Sequence, residues 1–167
     1  FGRGMFRGEA LARYVSQQVG GKRIEDMALP LGIVATDLNS GNEVLFQSSD
    51  DATAVPASSA VPGVFQPVKI SGREYVDGGL VSPVPVSAAQ KMGADFVIAV
   101  DISSPPEGSL TGGTLEILMQ TFAIMGKSIN RFELAQADIV VRPALPGFAS
   151  SDFSTRKRAI EAGRQAM

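Results

Sequence analysis

Apolar residues recur along this chain with two different periods, and the switches between them outline its elements. Phe6, Ala10, Leu11, Tyr14, Val15 and Val19 lie at helical spacing over residues 6–19, and Gly20-Gly21 predicts the stop. Residues 31–35 form a short apolar, β-branched run that reads as a buried strand. The polar turn 37–42 follows, and then a returning strand over 43–47. Ser49, Asp50 and Asp51 can cap a helix that runs to about Ala60 and ends before Pro62. Runs at 64–70 and 73–76 flank Ser71-Gly72, a two-residue hairpin signal.

A Pro-punctuated loop over 79–85 leads into a helix over 86–92 that Gly93 closes. Within 94–102, the continuous apolar run Phe96-Val97-Ile98-Ala99-Val100 predicts a strand covered on both faces. Residues 103–113 read as a loop. A long amphipathic helix is predicted over 114–137, a strand over 138–142 and a last helix over 156–166. Alternation of strands and helices in this order predicts an α/β fold with a mostly parallel sheet. No internal repeat marks a second domain. The loop at 103–113 is the best boundary candidate and reads better as a surface excursion.

Composition removes whole classes of chemistry. The 167 residues contain no Cys and no His. Disulfides, thiolate nucleophiles, a Ser-His-Asp triad and an HExxH zinc site therefore cannot be built from this chain. Asp37, Asp50, Asp51, Asp95 and Asp101 are scattered without calcium-loop spacing, so the expectation is no metal and no cofactor. Net charge is −2 but uneven: residues 1–25 carry +3, residues 151–167 carry +2, and the stretch between carries −7. Basic ends suit ordinary solvated helix faces, the weightier reading, or a peripheral contact with an anionic membrane. A pI near 5.2 argues against nucleic acid as a partner. The chain starts at Phe1 and stops within a helical pattern, which suggests a piece of a longer protein.

Two motifs compete for attention. Gly126-Lys127-Ser128 resembles the end of a phosphate-binding loop, but Thr121 stands where that pattern needs Gly and the triplet lies within a predicted helix. The same stretch fails as a GxSxG nucleophile elbow, because Asn130 replaces the final Gly and no strand leads into it. Asp77 is different. It ends a predicted strand, Gly78 and Gly79 leave its surroundings open, and a stiff Pro-rich loop follows. An isolated Asp-Gly-Gly is common in hairpin turns, so the residues around it decide the matter.

Those residues are Ala57, Ser58, Ala60, Pro62, Phe65 and Pro67, followed by Tyr75-Val76-Asp77-Gly78-Gly79 and Pro83-Val84-Pro85. Their spacing resembles that of bacterial patatin-like phospholipases, in the branch that holds short cytoplasmic members and the neuropathy-target-esterase catalytic domain. Ile33-Val34-Ala35-Thr36-Asp37-Leu38 is similar to that family's preceding strand and turn. The resemblance covers roughly residues 5–142, with 55–85 its specific part.

The resemblance implies a three-layer α/β fold with helices on both faces of a mostly parallel sheet. Residues 1–167 would be the C-terminal portion of a single patatin-like domain. It implies a serine-type lipid acyl hydrolase, with phospholipid, lysophospholipid or carboxylic ester as substrate, and a cytoplasmic location. Asp77 corresponds to the base of a Ser–Asp dyad, supported by Gly78, Gly79, Ser82 and Pro83; many relatives carry Asn where this chain has Ser82. The nucleophile elbow and the oxyanion segment are expected before residue 1, so the missing N-terminal part of the domain is an expected partner. A dyad needs no imidazole, which suits a chain without His. Val61, Val64, Phe65, Leu80 and Val81 flank the motif and are candidates for an acyl pocket, although most suit the core equally. The alternative is a non-catalytic binding or regulatory module on the same fold, because this chain holds no elbow.

Overall fold

A computed structural model describes residues 8–48, 51–103, 113–145 and 153–167. In chain order the elements are α1 (Glu9–Gln18), β1 (Ile33–Asp37), β2 (Glu43–Phe46), α2 (Asp51–Ser58), β3 (Val68–Ile70), β4 (Arg73–Asp77), α3 (Val86–Lys91), β5 (Ile98–Val100), α4 (Thr114–Glu133), β6 (Ile139–Val141) and α5 (Arg156–Ala166). Phe6, the proposed caps Ser49 and Asp50, and most of the loop at 103–113 lie outside the described residues.

The fold is mixed α/β, but the strands do not pair as expected. Four of them form one antiparallel sheet in the order β2-β1-β4-β3; only β5 and β6 are parallel, as a separate pair. The expectation of a mostly parallel sheet is therefore corrected for the described residues. Connection length explains the outcome. A tight turn joins β1 to β2, and Ser71-Gly72 alone joins β3 to β4, so each pair must be antiparallel. Positive φ at both Ser71 (49°) and Gly72 (82°) gives the hairpin geometry whose twist matches the strands. Only the β5–β6 connection carries a long helix, α4, and only that pair is parallel.

Strand β1 is the centre of the larger sheet, and all five of its residues are buried. Ile33 packs with Ile24 and Ala54 beneath Phe46 and Val55. Ala35 packs with Ala57 and Tyr75 beneath Val44, Val68 and Ile70. The alanines of α2 let that helix lie close on the sheet. Tyr75 meets Phe46 edge-on at 5.2 Å between ring centres, a favoured aromatic geometry. A second core gathers Val84, Val86, Val97 and Ala99 against Ala89, Leu134 and Ala137.

This second core covers one face of the β5–β6 pair. Ile98 and Val100 are each 49% exposed on the other face, so the expected two-sided cover is absent among the described residues. Helix α4 also presents Ile117, Ile124, Met125 and Phe132 to the outside. No helix among the described residues is long and apolar enough to cross a membrane.

Candidate functional site

Asp77 is the last residue of β4, opposite Ala35 of β1, and the chain turns immediately into a single 3-10 turn, Gly78–Leu80. Three contacts fix its position. Its N–H donates to the Ala60 carbonyl (3.1 Å), its carbonyl accepts from Thr36 Oγ1 (2.8 Å), and its Oδ1 accepts from the Gly79 N–H (2.7 Å). The backbone is thus pinned to β1 and to the segment after α2, while one carboxylate oxygen caps the turn.

Both glycines have steric reasons. A Cβ at Gly78 would overlap the Val34 carbonyl oxygen of β1; a Cβ at Gly79 would sit 3.0 Å from Asp77 Oδ1. Gly78 therefore permits the turn to lie on the sheet, and Gly79 permits the cap.

Among the described residues Asp77 has no ion-pair partner, and no hydrogen bond reaches its Oδ2. The carboxyl is half-buried, and this desolvation raises its pKa above the usual 3.8, with the Gly79 N–H pulling partly the other way. Raising a carboxylate's pKa makes its ionised form a stronger base.

Two cavities meet at this residue. One, of about 200 Å³, is lined by Val61, Pro62, Gly79, Leu80, Met119 and Phe122 with Asp77 at its edge. The other, of about 320 Å³, is more polar and lies between Gly32 with the β1 residues Ile33 and Val34 and the loop of Gly78, Gly79, Ser82 and Pro83. Ser82 is buried, and its Oγ has no hydrogen-bond partner among the described residues. An unsatisfied buried hydroxyl is unfavourable by about 1–3 kcal/mol, so a partner group arriving in this cavity would be stabilised there.

Of the expected pocket residues, the structure brings Val61 and Leu80 to the cavity beside Asp77; Val64, Phe65 and Val81 do not line it. Met119 and Phe122 of α4 line it as well; in the sequence they belong to the apolar stripe of the long helix predicted over 114–137. Their spacing at i and i+3 marked them as facing inward together but not toward which element. Glycine at position 126 answers the first of the two motifs: a Cβ there would lie 3.4 Å from Pro83, so Gly126 brings α4 close to the loop after Asp77. Buried Asn130 holds the same loop, its Oδ1 accepting from the Val84 N–H at 3.1 Å. Glu133 accepts from both the Ser87 N–H and Oγ at 2.9 Å.

Residues 1–89 match the model of the patatin-like phospholipase family, which is more than half of the chain. The chain belongs to that family. An NTE family protein of Mycobacterium tuberculosis is 37% identical over 105 residues, covering 63% of this chain and 29% of the relative. A second such protein, of Mycobacterium bovis, is 26% identical over 185 residues, covering 96% and 32%. Human patatin-like phospholipase domain-containing protein 6 is 32% identical over 109 residues, covering 64% and 8%. These likenesses place the chain in the NTE branch. It spans less than a third of the length of each of these relatives.

Proposed function

We propose that this chain supplies the general base, Asp77, of a serine-type lipid acyl hydrolase. The serine and the oxyanion donors come from a segment of the same domain preceding residue 1, and that segment completes the three-layer fold. The observation that carries the reading is the state of one carboxylate. Asp77 is pinned at a strand end and half-buried between two cavities, and it has one oxygen engaged and one without a partner among the described residues.

In this reading Oδ1 stays on the Gly79 N–H and orients the group, while Oδ2 takes the serine proton as the oxygen attacks the acyl carbonyl. The proton must pass between oxygens about 2.6–3.2 Å apart. The polar cavity between β1 and Ser82 is where the serine-bearing segment enters, and the Ser82 hydroxyl finds its partner there. The apolar cavity, closed by Met119 and Phe122, accepts the start of the acyl chain. Because an aspartate is a weak base, much of the barrier is lowered by donors aimed at the developing oxyanion. The exposed faces of β5 and β6 are covered by the same preceding segment. Contact of the basic α5 with an anionic lipid surface belongs to the same proposal.

The test is hydrolysis by the full-length protein. Asp77→Asn keeps the Oδ1 cap and removes the base. Its kcat/KM on a nitrophenyl ester and on a lysophospholipid should fall by about 10³–10⁴-fold, with the circular dichroism spectrum unchanged. Full activity in that variant ends the proposal. Equal inactivity of the wild type on both substrates points instead to a binding module on this fold.

A further inference from the structure

A cavity of about 480 Å³ lies away from Asp77, at the carboxyl ends of β5 and β6. Ligands of parallel α/β sheets gather at that end of the strands, because the loops there are free to form a site. Lys127, Arg131 and Arg142 line it, with Asp101, Ser103 and Asn130. We propose that this cavity binds a phosphate group, carried by a lipid headgroup or free in solution.

The charges do not balance internally. Among the described residues Asp101 is the one carboxylate lining the cavity, and it is already engaged. Its Oδ1 accepts from the Ser103 N–H and Oγ, and its Oδ2 faces Arg142 Nε at 3.4 Å. That contact leaves the other guanidinium nitrogens of Arg142 available. Lys127 and Arg131 have no acidic partner among the described residues. They stand one turn apart on the same face of α4, where like charges repel. The helix C-terminus accounts for Arg131, which lies in the last turn. It does not account for Lys127, which lies further back, or for Arg142, which follows β6.

A neutral donor completes the set. Asn130 is 4% exposed, and the Val84 N–H fixes its amide by binding Oδ1. Its Nδ2 is therefore held toward Ser103 Oγ, at 3.5 Å, on the cavity side. Two guanidinium groups, an ammonium and a rigid amide donor match the several acceptor oxygens and the double charge of a phosphate. The Lys127-Ser128 pair that looked like a failed nucleotide loop thus contributes a phosphate ligand by a different geometry, from the side of a helix. Asn130 also holds the loop after Asp77, so the phosphate and the carboxylate would share one support. The proposal does not depend on Asp77 being a base.

Calorimetry on the full-length protein tests it, with inorganic phosphate and then with dihexanoyl phosphatidate below its micelle concentration as titrants. Saturable binding should weaken by at least about tenfold in Lys127→Gln/Arg131→Gln, since each charge-assisted contact is worth about that factor. Both side chains are exposed on a helix, so this variant should fold. Lys69→Gln, an exposed lysine on β3, should bind as the wild type does. Phosphatidate binding at least about tenfold tighter than phosphate assigns the site to a headgroup; equal affinities assign it to free phosphate. Absence of saturable binding by either titrant, or binding unchanged in the double variant, overturns the proposal.

Discussion

Asp37 and Asp77 end two neighbouring strands of one sheet, and each is followed at once by a tight turn. Their side chains are treated in opposite ways. Asp37 is 1% exposed and fully engaged: Oδ1 accepts from the Asn39 and Ser40 N–H groups, and Oδ2 pairs with Arg73 Nε at 2.9 Å. Asp77 has a single backbone donor, no cation among the described residues, and open space on two sides. A carboxylate that closes a turn and neutralises an arginine has no capacity left for a substrate. One that is partly desolvated and half-engaged is unfavourable for stability and is in a condition to accept a proton. Strand-end position alone does not separate a structural acid from a candidate base; the partners do.

The two acids should respond in opposite directions to the same change. The largest effect expected is on catalysis: removal of the Asp77 charge costs full-length activity about 10³-fold or more, while Asp37→Asn leaves kcat/KM per folded molecule within a few-fold. Similar losses from both would erase the distinction. Urea unfolding probes the reverse side. Asp37→Ala orphans two N–H groups and the Arg73 contact and should destabilise by about 2 kcal/mol; the Arg73 guanidinium is mostly exposed, so little of this comes from the ion pair. Asp77→Asn should be neutral or stabilising at pH 7.

The glycines sharpen the comparison. Gly78→Ala drives a methyl into the Val34 carbonyl and should cost about 2 kcal/mol of stability. Gly79→Ala pushes only on Asp77 Oδ1, so thermal melting should move less than activity does. The smallest effect is in the pH dependence. Burial raises the Asp77 pKa above 3.8, so the folded state holds this proton more tightly than the unfolded state does. Stability from this group is full below the unfolded value and declines as pH rises through the folded one. Wild type should therefore lose stability relative to Asp77→Asn across that window. The acid limb of kcat/KM should lie above 3.8; a limb at or below it would contradict the burial.

Much of this is legible in the sequence where the signals are local. Ser71-Gly72 specified a hairpin, Gly93 closed α3 with φ of 95°, and the apolar period of α4 is present in the structure over Thr114–Glu133. The pairing of β1 with β2 follows from the turn between them, but its pairing with β4 was not readable, because that strand lies forty residues away. Strand β1 itself lies two residues later than its apolar run suggests. Its polar members Thr36 and Asp37 stay in the strand because each, though buried, finds a partner, Asp77 O and Arg73. The Asp77 motif was legible as a family pattern, yet the half of its surroundings supplied by α4, namely Met119, Phe122 and Asn130, was hidden inside an ordinary amphipathic stripe.

Labelling of the full-length protein by a fluorophosphonate measures most directly whether Asp77 activates a serine. The expected result is a single labelled serine preceding residue 1, modified about 10³-fold more slowly in Asp77→Asn and at an unchanged rate in folded Asp37→Asn. Labelling of Asp77→Asn at the wild-type rate would contradict the account.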